Sequence, residues 1–163
     1  MTVVDASAVI ELLLGRPAAA SLAQQLIDDP TIEMAAPHLL DAEVGQVLRR
    51  FERRGELDES AARGAMNDLA DLPILRYPHG PLLGRSYDLR HNVTMYDALY
   101  LALAEMLDEP CLTADAAMMD VPGCRATVQR LADGADILRA TDWVPIRPPA
   151  LPSYVRAIGF AAG

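Results

Sequence analysis

The chain contains no lysine: all 14 of its basic residues are arginine. Chemistry that needs an ammonium group at a fixed place is therefore closed to it. This excludes a Walker A phosphate loop, a pyridoxal Schiff base, a receiver domain and a dehalogenase-type phosphotransferase. Cysteine is nearly absent too. Cys111 and Cys124 show no CxxC spacing and no nearby histidine pairing, so neither a disulfide framework nor a zinc site is indicated, and a reducing compartment fits. His38, His79 and His91 form no HxH or HxxxH pair and are read as surface or loop residues rather than ligands. Positive charge is scarce overall. Against 23 acidic residues the arginines leave a formal charge of -9, which argues against a broad basic surface for nonspecific nucleic-acid binding. A polyanion would have to be met locally, by a few arginines or by metal ions. The opening run MTVVDASAVIELLL has no basic start and carries Asp5 and Glu11 among its apolar residues. Neither a signal peptide nor a membrane span is expected there, and the expected location is the cytoplasm.

What is present suffices for a core. A chain of 163 residues, 52% of them hydrophobic, reads as one globular domain that needs no disulfide or structural metal to fold. Short apolar runs alternate with longer helical ones, the pattern of a parallel α/β domain. Thr2-Val3-Val4 predicts a strand ending at Asp5, followed by helical runs over Ala8 to Leu14 and after Pro17. A strand is predicted over Thr31 to Ala35. Pro37 then opens a long amphipathic helix with Leu40, Val44, Val47, Leu48 and Phe51 on one face, which Gly55 stops. Asp58 caps a helix from Glu59 to about Leu69, and a strand lies within Leu72 to Tyr77. A helix over Pro81 to His91 precedes one over Met95 to Leu107 that is apolar almost all round and should be buried. Pro110 to Thr113 and Cys124 to Val128 are the remaining strand candidates. Residues 132–163, with Pro145, Pro148, Pro149 and Pro152, form a proline-containing extension that either wraps the domain of residues 1–131 or is mobile.

Two acids share one context, a short strand, an acid and then a helix: Val-Val-Asp5-Ala-Ser7 and Leu-Thr113-Ala-Asp115-Ala. Ligands of open α/β sheets bind beyond the carboxyl ends of strands, so both acids point toward one crevice. Asp97 opens the buried helix three residues after Thr94, and Glu43 lies at the rim of the long helix's apolar stripe. Taken singly, Asp5 and Asp115 read as helix caps, Thr94 with Asp97 as a capping-box variant, and Glu43 as an acid favoured by the helix dipole. Taken together they read as a site. Carboxylates gathered without lysine repel one another unless some protonate or a cation binds, and an oxygen-only donor set selects Mg²⁺ or Mn²⁺. Such a site hydrolyses phosphodiesters. Ser7 and Thr113 are placed behind it, hydrogen-bonding Asp5 or a metal-bound water. Arg50 and Arg54 follow Glu43 along the same rim and are by default a solvated helix end that complements the dipole, with phosphate contact as the minority reading.

VVDASAVIELLL, DAEVGQVLRR, TMYDALYLALAE and PCLTADA together resemble the PIN-domain ribonucleases, specifically the VapC toxins of bacterial toxin-antitoxin pairs, over about residues 1–131. The resemblance implies a PIN-like three-layer sandwich, a central parallel five-stranded sheet flanked by helices, with Asp5, Glu43, Asp97 and Asp115 as the acidic catalytic and metal-binding positions. It also implies Mg²⁺- or Mn²⁺-dependent cleavage of RNA, often transfer or ribosomal RNA, a homodimer, and a cognate antitoxin whose C-terminal segment covers the cleft. Gly45 and Gln46 depart from the small residue and asparagine common after the second acid, and Ala116 to Met119 lack a polar or basic residue common after the fourth, leaving Asp120 as a candidate outer acid. The expected function is a toxin endoribonuclease. Its rivals are a structure-specific DNA nuclease and a non-catalytic PIN-like module that binds a partner.

Overall fold

A computed structural model of the chain describes residues 1–29 and 31–131. The expected extension over 132–163, with the idea that Arg147 or Arg156 covers the cleft, lies outside the described residues. Five short strands, β1 (Thr2–Val4), β2 (Met34–Pro37), β3 (Ile74–Tyr77), β4 (Cys111–Thr113) and β5 (Val128–Arg130), form one sheet. Its order is β3-β2-β1-β4-β5, and every pairing is parallel. The helices are α1 (Ala6–Leu13), α2 (Ala20–Asp28), α3 (Leu39–Arg53), α4 (Glu59–Asp71), α5 (Leu83–Asp88) and α6 (Met95–Leu107).

Parallel strands need crossover helices, and covering both faces of the sheet explains why β1 and β2 are nearly all buried. α6 lies across β1, β2 and β4 with α5 beside it, while α1, α3 and α4 pack together and reach β4 and β2. The expected three-layer arrangement is the observed one. As its composition requires, α6 is buried continuously from Ala98 to Ala104. No single helix among the described residues is long and apolar enough to cross a membrane.

The order of strands reverses between β1 and β4, which hydrogen-bond through Asp5 N–H to Leu112 O at 3.1 Å. That reversal opens a crevice beyond the carboxyl ends of these two strands, where neighbouring connections leave in opposite directions. Asp5 and Asp115 follow those strand ends.

Three boundaries differ from expectation. Pro37 closes β2 instead of opening a helix. It pairs in register with Tyr77 at the strand's end, where its missing N–H costs nothing, and His38 N–H continues the ladder to Tyr77 O at 2.9 Å. α3 therefore starts at Leu39, whose N–H donates to Nε2 of His79 at 3.0 Å. The stretch predicted over Pro81 to His91 is a single 3₁₀ turn at Gly80–Leu82 followed by the short α5, which ends at Asp88. The last strand falls at Val128–Arg130 and not at Cys124 to Val128. Gly123, at φ +78°, turns the chain, and the residues that follow are tied to Glu105. The Glu105 carboxylate is only 5% exposed and accepts from Arg85 at 2.7 and 2.8 Å and from the Arg125 backbone at 2.8 Å. Arg85 chiefly, then those Arg125 bonds, hold it at about 2.

Gly55 ends α3 as expected. Its φ of +70° lets Glu56 N–H reach back to Phe51 O at 3.0 Å.

Candidate active site

Asp5 is the anchor of the crevice. It caps α1 by accepting from Ala8 N–H at 2.8 Å, and it is 5% exposed. Two hydroxyls converge on the same carboxylate. Ser7 Oγ donates to it at 2.8–2.9 Å, and Thr113 Oγ1 donates to Oδ2 at 2.8 Å. Both hydroxyls accept in turn from the backbone after β4: Ala114 N–H reaches Ser7 Oγ at 2.8 Å, and Asp115 N–H reaches Thr113 Oγ1 at 2.9 Å. The ends of β1 and β4 are thus stitched through one carboxylate. Burial raises the Asp5 carboxyl above its ordinary value. The bonds from Ala8, Ser7 and Thr113 oppose that shift, and the charge of Asp97 adds to it.

Glu43 comes from the second turn of α3, half-buried, and its Oε2 accepts from Tyr100 Oη at 2.6 Å. Its carboxyl is also raised, first by burial and then by the charges of Asp97 and Asp5, against the lowering effect of Tyr100. Asp97, in the first turn of α6, accepts from Thr94 Oγ1 at 2.7 Å, and its own N–H donates back to that oxygen at 3.2 Å. The pair departs from a standard capping box, since the acid bonds the threonine hydroxyl and not the Thr94 N–H. The structure therefore brings Asp5, Glu43 and Asp97 close enough for their charges to act on one another. Helix capping and convergence turn out to be compatible.

Asp115 stands further out. It is exposed, and its carboxylate accepts from Ala117 N–H at 2.8 Å, capping the 3₁₀ turn Ala116–Met118. Its link to the other acids runs through its backbone and Thr113. Arg50 and Arg54 are exposed on the distal part of α3, about 10 and 16 Å along the axis from Glu43 at 1.5 Å per residue. Arg54 caps the helix end and pairs with Glu56 at 3.7 Å.

Among the described residues no three His, Cys, Asp or Glu side chains are gathered tightly enough to enclose a metal ion by themselves. The donor chemistry nonetheless fits a hydrated hard cation, because Mg²⁺ keeps several waters and takes one or two carboxylates. An ionised carboxylate has about four acceptor positions, and on Asp5 three protons, from Ala8, Ser7 and Thr113, occupy only three. Each of Glu43 and Asp97 accepts one side-chain bond, on a single oxygen, and so keeps acceptor capacity. All three present unspent oxygen lone pairs in a site where burial first, and then like charge, raises two of them.

Two structural partners went unread in the sequence. Tyr100 looked like one more apolar residue of a buried helix, yet a phenol on such a helix needs an acceptor, and its place three residues after Asp97 sets it on the acid's side of α6. His79 looked like a loop residue, and no local pattern shows that it caps a helix 40 positions earlier.

A family model described as PIN domain matches residues 2–123. Ribonuclease VapC1 of Mycobacterium tuberculosis is 48% identical over 122 residues, covering 74% of this chain and 90% of that protein. Ribonuclease VapC12 of the same organism is 33% identical over 132 residues, covering 81% of this chain and all of that protein. The crystal structure of PAE2754 from Pyrobaculum aerophilum superposes with a TM-score of 0.60 over 85% of this chain and 87% of the other at 23% identity, a likeness of fold. A parallel five-stranded sheet with acids gathered at its switch point, together with these matches over most of the chain, makes this protein a member of the PIN-domain family in its VapC ribonuclease branch.

Proposed function

We propose that this protein is an endoribonuclease dependent on Mg²⁺ or Mn²⁺, acting as the toxin of a toxin-antitoxin pair. The observation that carries the reading is the convergence of Asp5, Glu43 and Asp97 beyond the ends of β1 and β4, where burial and then mutual repulsion disfavour the bare charges and so favour a bound cation. Relatives named as ribonucleases along most of the chain support RNA as the substrate.

When bound, a divalent cation supplies Lewis acidity toward a phosphodiester oxygen and increases the acidity of an attacking water. The chain's part is to hold oxygens in place. Ser7 and Thr113 spend their hydroxyl protons on Asp5 and so leave it a fixed orientation. Thr94 does the same for Asp97. Asp115, exposed and capping Ala117 with one oxygen, would keep its other oxygen to orient a water beside a bound cation. Arg50 and Arg54 offer guanidinium groups to the phosphates of an RNA strand leaving the crevice along α3.

The cognate antitoxin we propose is a protein that presents positive charge to the carboxylates. The working form is a homodimer in the cytoplasm. The test is incubation of purified protein with total RNA, and separately with single-stranded and flap DNA, with Mg²⁺ or Mn²⁺ and with chelator. RNA cleavage abolished by chelator and by Asp97→Asn is expected. Cleavage of DNA alone would transfer the site to the DNA-nuclease reading, and RNA cleavage persisting in chelator would overturn the mechanism.

A further inference from the structure

We infer that Tyr100 is a positioning residue of the catalytic centre, setting the orientation of the Glu43 carboxylate through a single buried hydroxyl. The inference rests on the metal-dependent ribonuclease reading above and goes beyond it, since Tyr100 itself touches neither substrate nor cation.

The geometry is specific. Tyr100 is 1% exposed and lies in the most buried stretch of α6, between Leu99 and Leu101. Its hydroxyl emerges at the edge of that core and donates to Glu43 Oε2 at 2.6 Å, a length typical of a charge-assisted bond. The two residues are 57 positions apart and come from helices that leave β2 and precede β4, so the bond fixes one helix relative to the other at the crevice.

The ring is held by packing along its whole length. Glu43 is not: it is half-buried, on a flexible three-torsion side chain, one helical turn before Val47. Without a donor from inside the protein its carboxylate would sample several rotamers. Tyr100 removes that freedom, occupying Oε2 and leaving Oε1 available as an acceptor.

The phenol is suited to this task because it is a rigid donor whose ring is fixed by the core and whose single hydroxyl reaches the carboxylate. Serine or threonine on α6 would be too short to span the distance from a buried helix position. Lysine would neutralise the very charge the cation needs.

The test is Tyr100→Phe, which keeps the ring and its packing and deletes one oxygen. Calorimetric titration with Mn²⁺ reads the cation site directly, and RNA cleavage at saturating Mn²⁺ gives kcat and KM. Loss of a partner that orients a ligand typically costs 10- to 100-fold. The expected result is Mn²⁺ binding about 10-fold weaker and kcat about 10-fold lower, with KM for RNA nearly unchanged and the circular-dichroism spectrum intact. A Phe variant that only melts earlier, with Mn²⁺ affinity and kcat equal to wild type, overturns the inference while the ribonuclease reading stands. Should wild type itself neither bind Mn²⁺ nor cleave RNA, the reading falls and takes the inference with it. A second variant guards against misfolding. Glu43→Asp withdraws the carboxylate from the phenol's reach, so Tyr100→Phe placed in that background should add less than 2-fold to its defects. A full additional 10-fold loss there would mean that the hydroxyl acts on something other than Glu43.

Discussion

Replacing Thr113 by valine isolates the network that fixes Asp5. The two side chains have the same shape and the same β-branching, so strand preference and packing are conserved and one hydroxyl is lost. Thr113 is wholly buried. The two shortest bonds of that hydroxyl decide the cost: the donation to Asp5 Oδ2 at 2.8 Å, and the acceptance from Asp115 N–H at 2.9 Å, beside longer contacts with Ser7 Oγ at 3.2 Å and Met118 Sδ at 3.6 Å. The first is a bond to a charged group, worth about 1.5–3 kcal/mol, and the second leaves a part-buried N–H unpaired, so the sum should be about 2–4 kcal/mol at neutral pH. At roughly 3 °C per kcal/mol for a domain of this size, the melting temperature should fall by roughly 6–12 °C. The effect has a pH signature. Burial holds the Asp5 carboxyl above its ordinary value, so between the unfolded and folded values the folded chain binds the extra proton. Stability therefore falls as pH rises through that window, and the buried charge is most costly above it. Donors to the charge matter most where the charge exists. The loss on Thr113→Val should be full at neutral pH and smaller once Asp5 is protonated, while Thr113→Ser should stay close to wild type. Urea unfolding at both ends of the pH range, with an unchanged m-value, measures this. A valine variant within about 0.5 kcal/mol of wild type at neutral pH, or one equally destabilised at acid pH, would refute the reasoning.

Asp5→Asn should melt above wild type at neutral pH in metal-free buffer while losing cleavage, because it removes a buried charge whose carboxyl is already raised; a lower melting temperature would contradict this. Glu105→Gln should cost about 2 kcal/mol at neutral pH by leaving partly buried Arg85 unpaired. Since Arg85 holds the Glu105 carboxyl at about 2, that contribution is present above the ordinary carboxylate value and is lost as pH falls toward 2, so the variant's deficit should shrink with acid in chemical denaturation. Gly55→Ala should cost about 1 kcal/mol through its left-handed backbone alone, as nothing lies within 4 Å of an added Cβ, and a neutral result would show that the turn relaxes.

Local signals carried far in this chain. Asp58 and Thr94 cap the helices their positions imply, Gly55 ends α3, and α6 begins and ends where its apolar run does. Strand-acid-helix context alone placed Asp5 beside the switch point. What stayed hidden depends on contacts distant in sequence. Pro37 reads as a helix opener unless the parallel partner Tyr77 is known. The last strand starts later than its apolar run implies because the turn at Gly123 is held by Glu105, 20 residues before the Arg125 N–H it accepts. In the site, the type of each acid was legible and its environment was not. Asp115 shares the motif of Asp5, yet it faces solvent and caps its own turn, because the segment after β4 leaves as an exposed 3₁₀ turn and not as a helix packed on the sheet.

The central claim is that carboxylates repelling one another at the switch point hold a divalent cation. Titrating Mn²⁺ into the metal-free protein at neutral pH, followed by calorimetry and by the melting temperature, tests it most directly. Saturable binding at or below millimolar concentration is expected, with a melting temperature that climbs with free Mn²⁺, both lost in Asp5→Asn and Asp97→Asn. Folded wild-type protein that takes up no Mn²⁺ at millimolar concentration would contradict it.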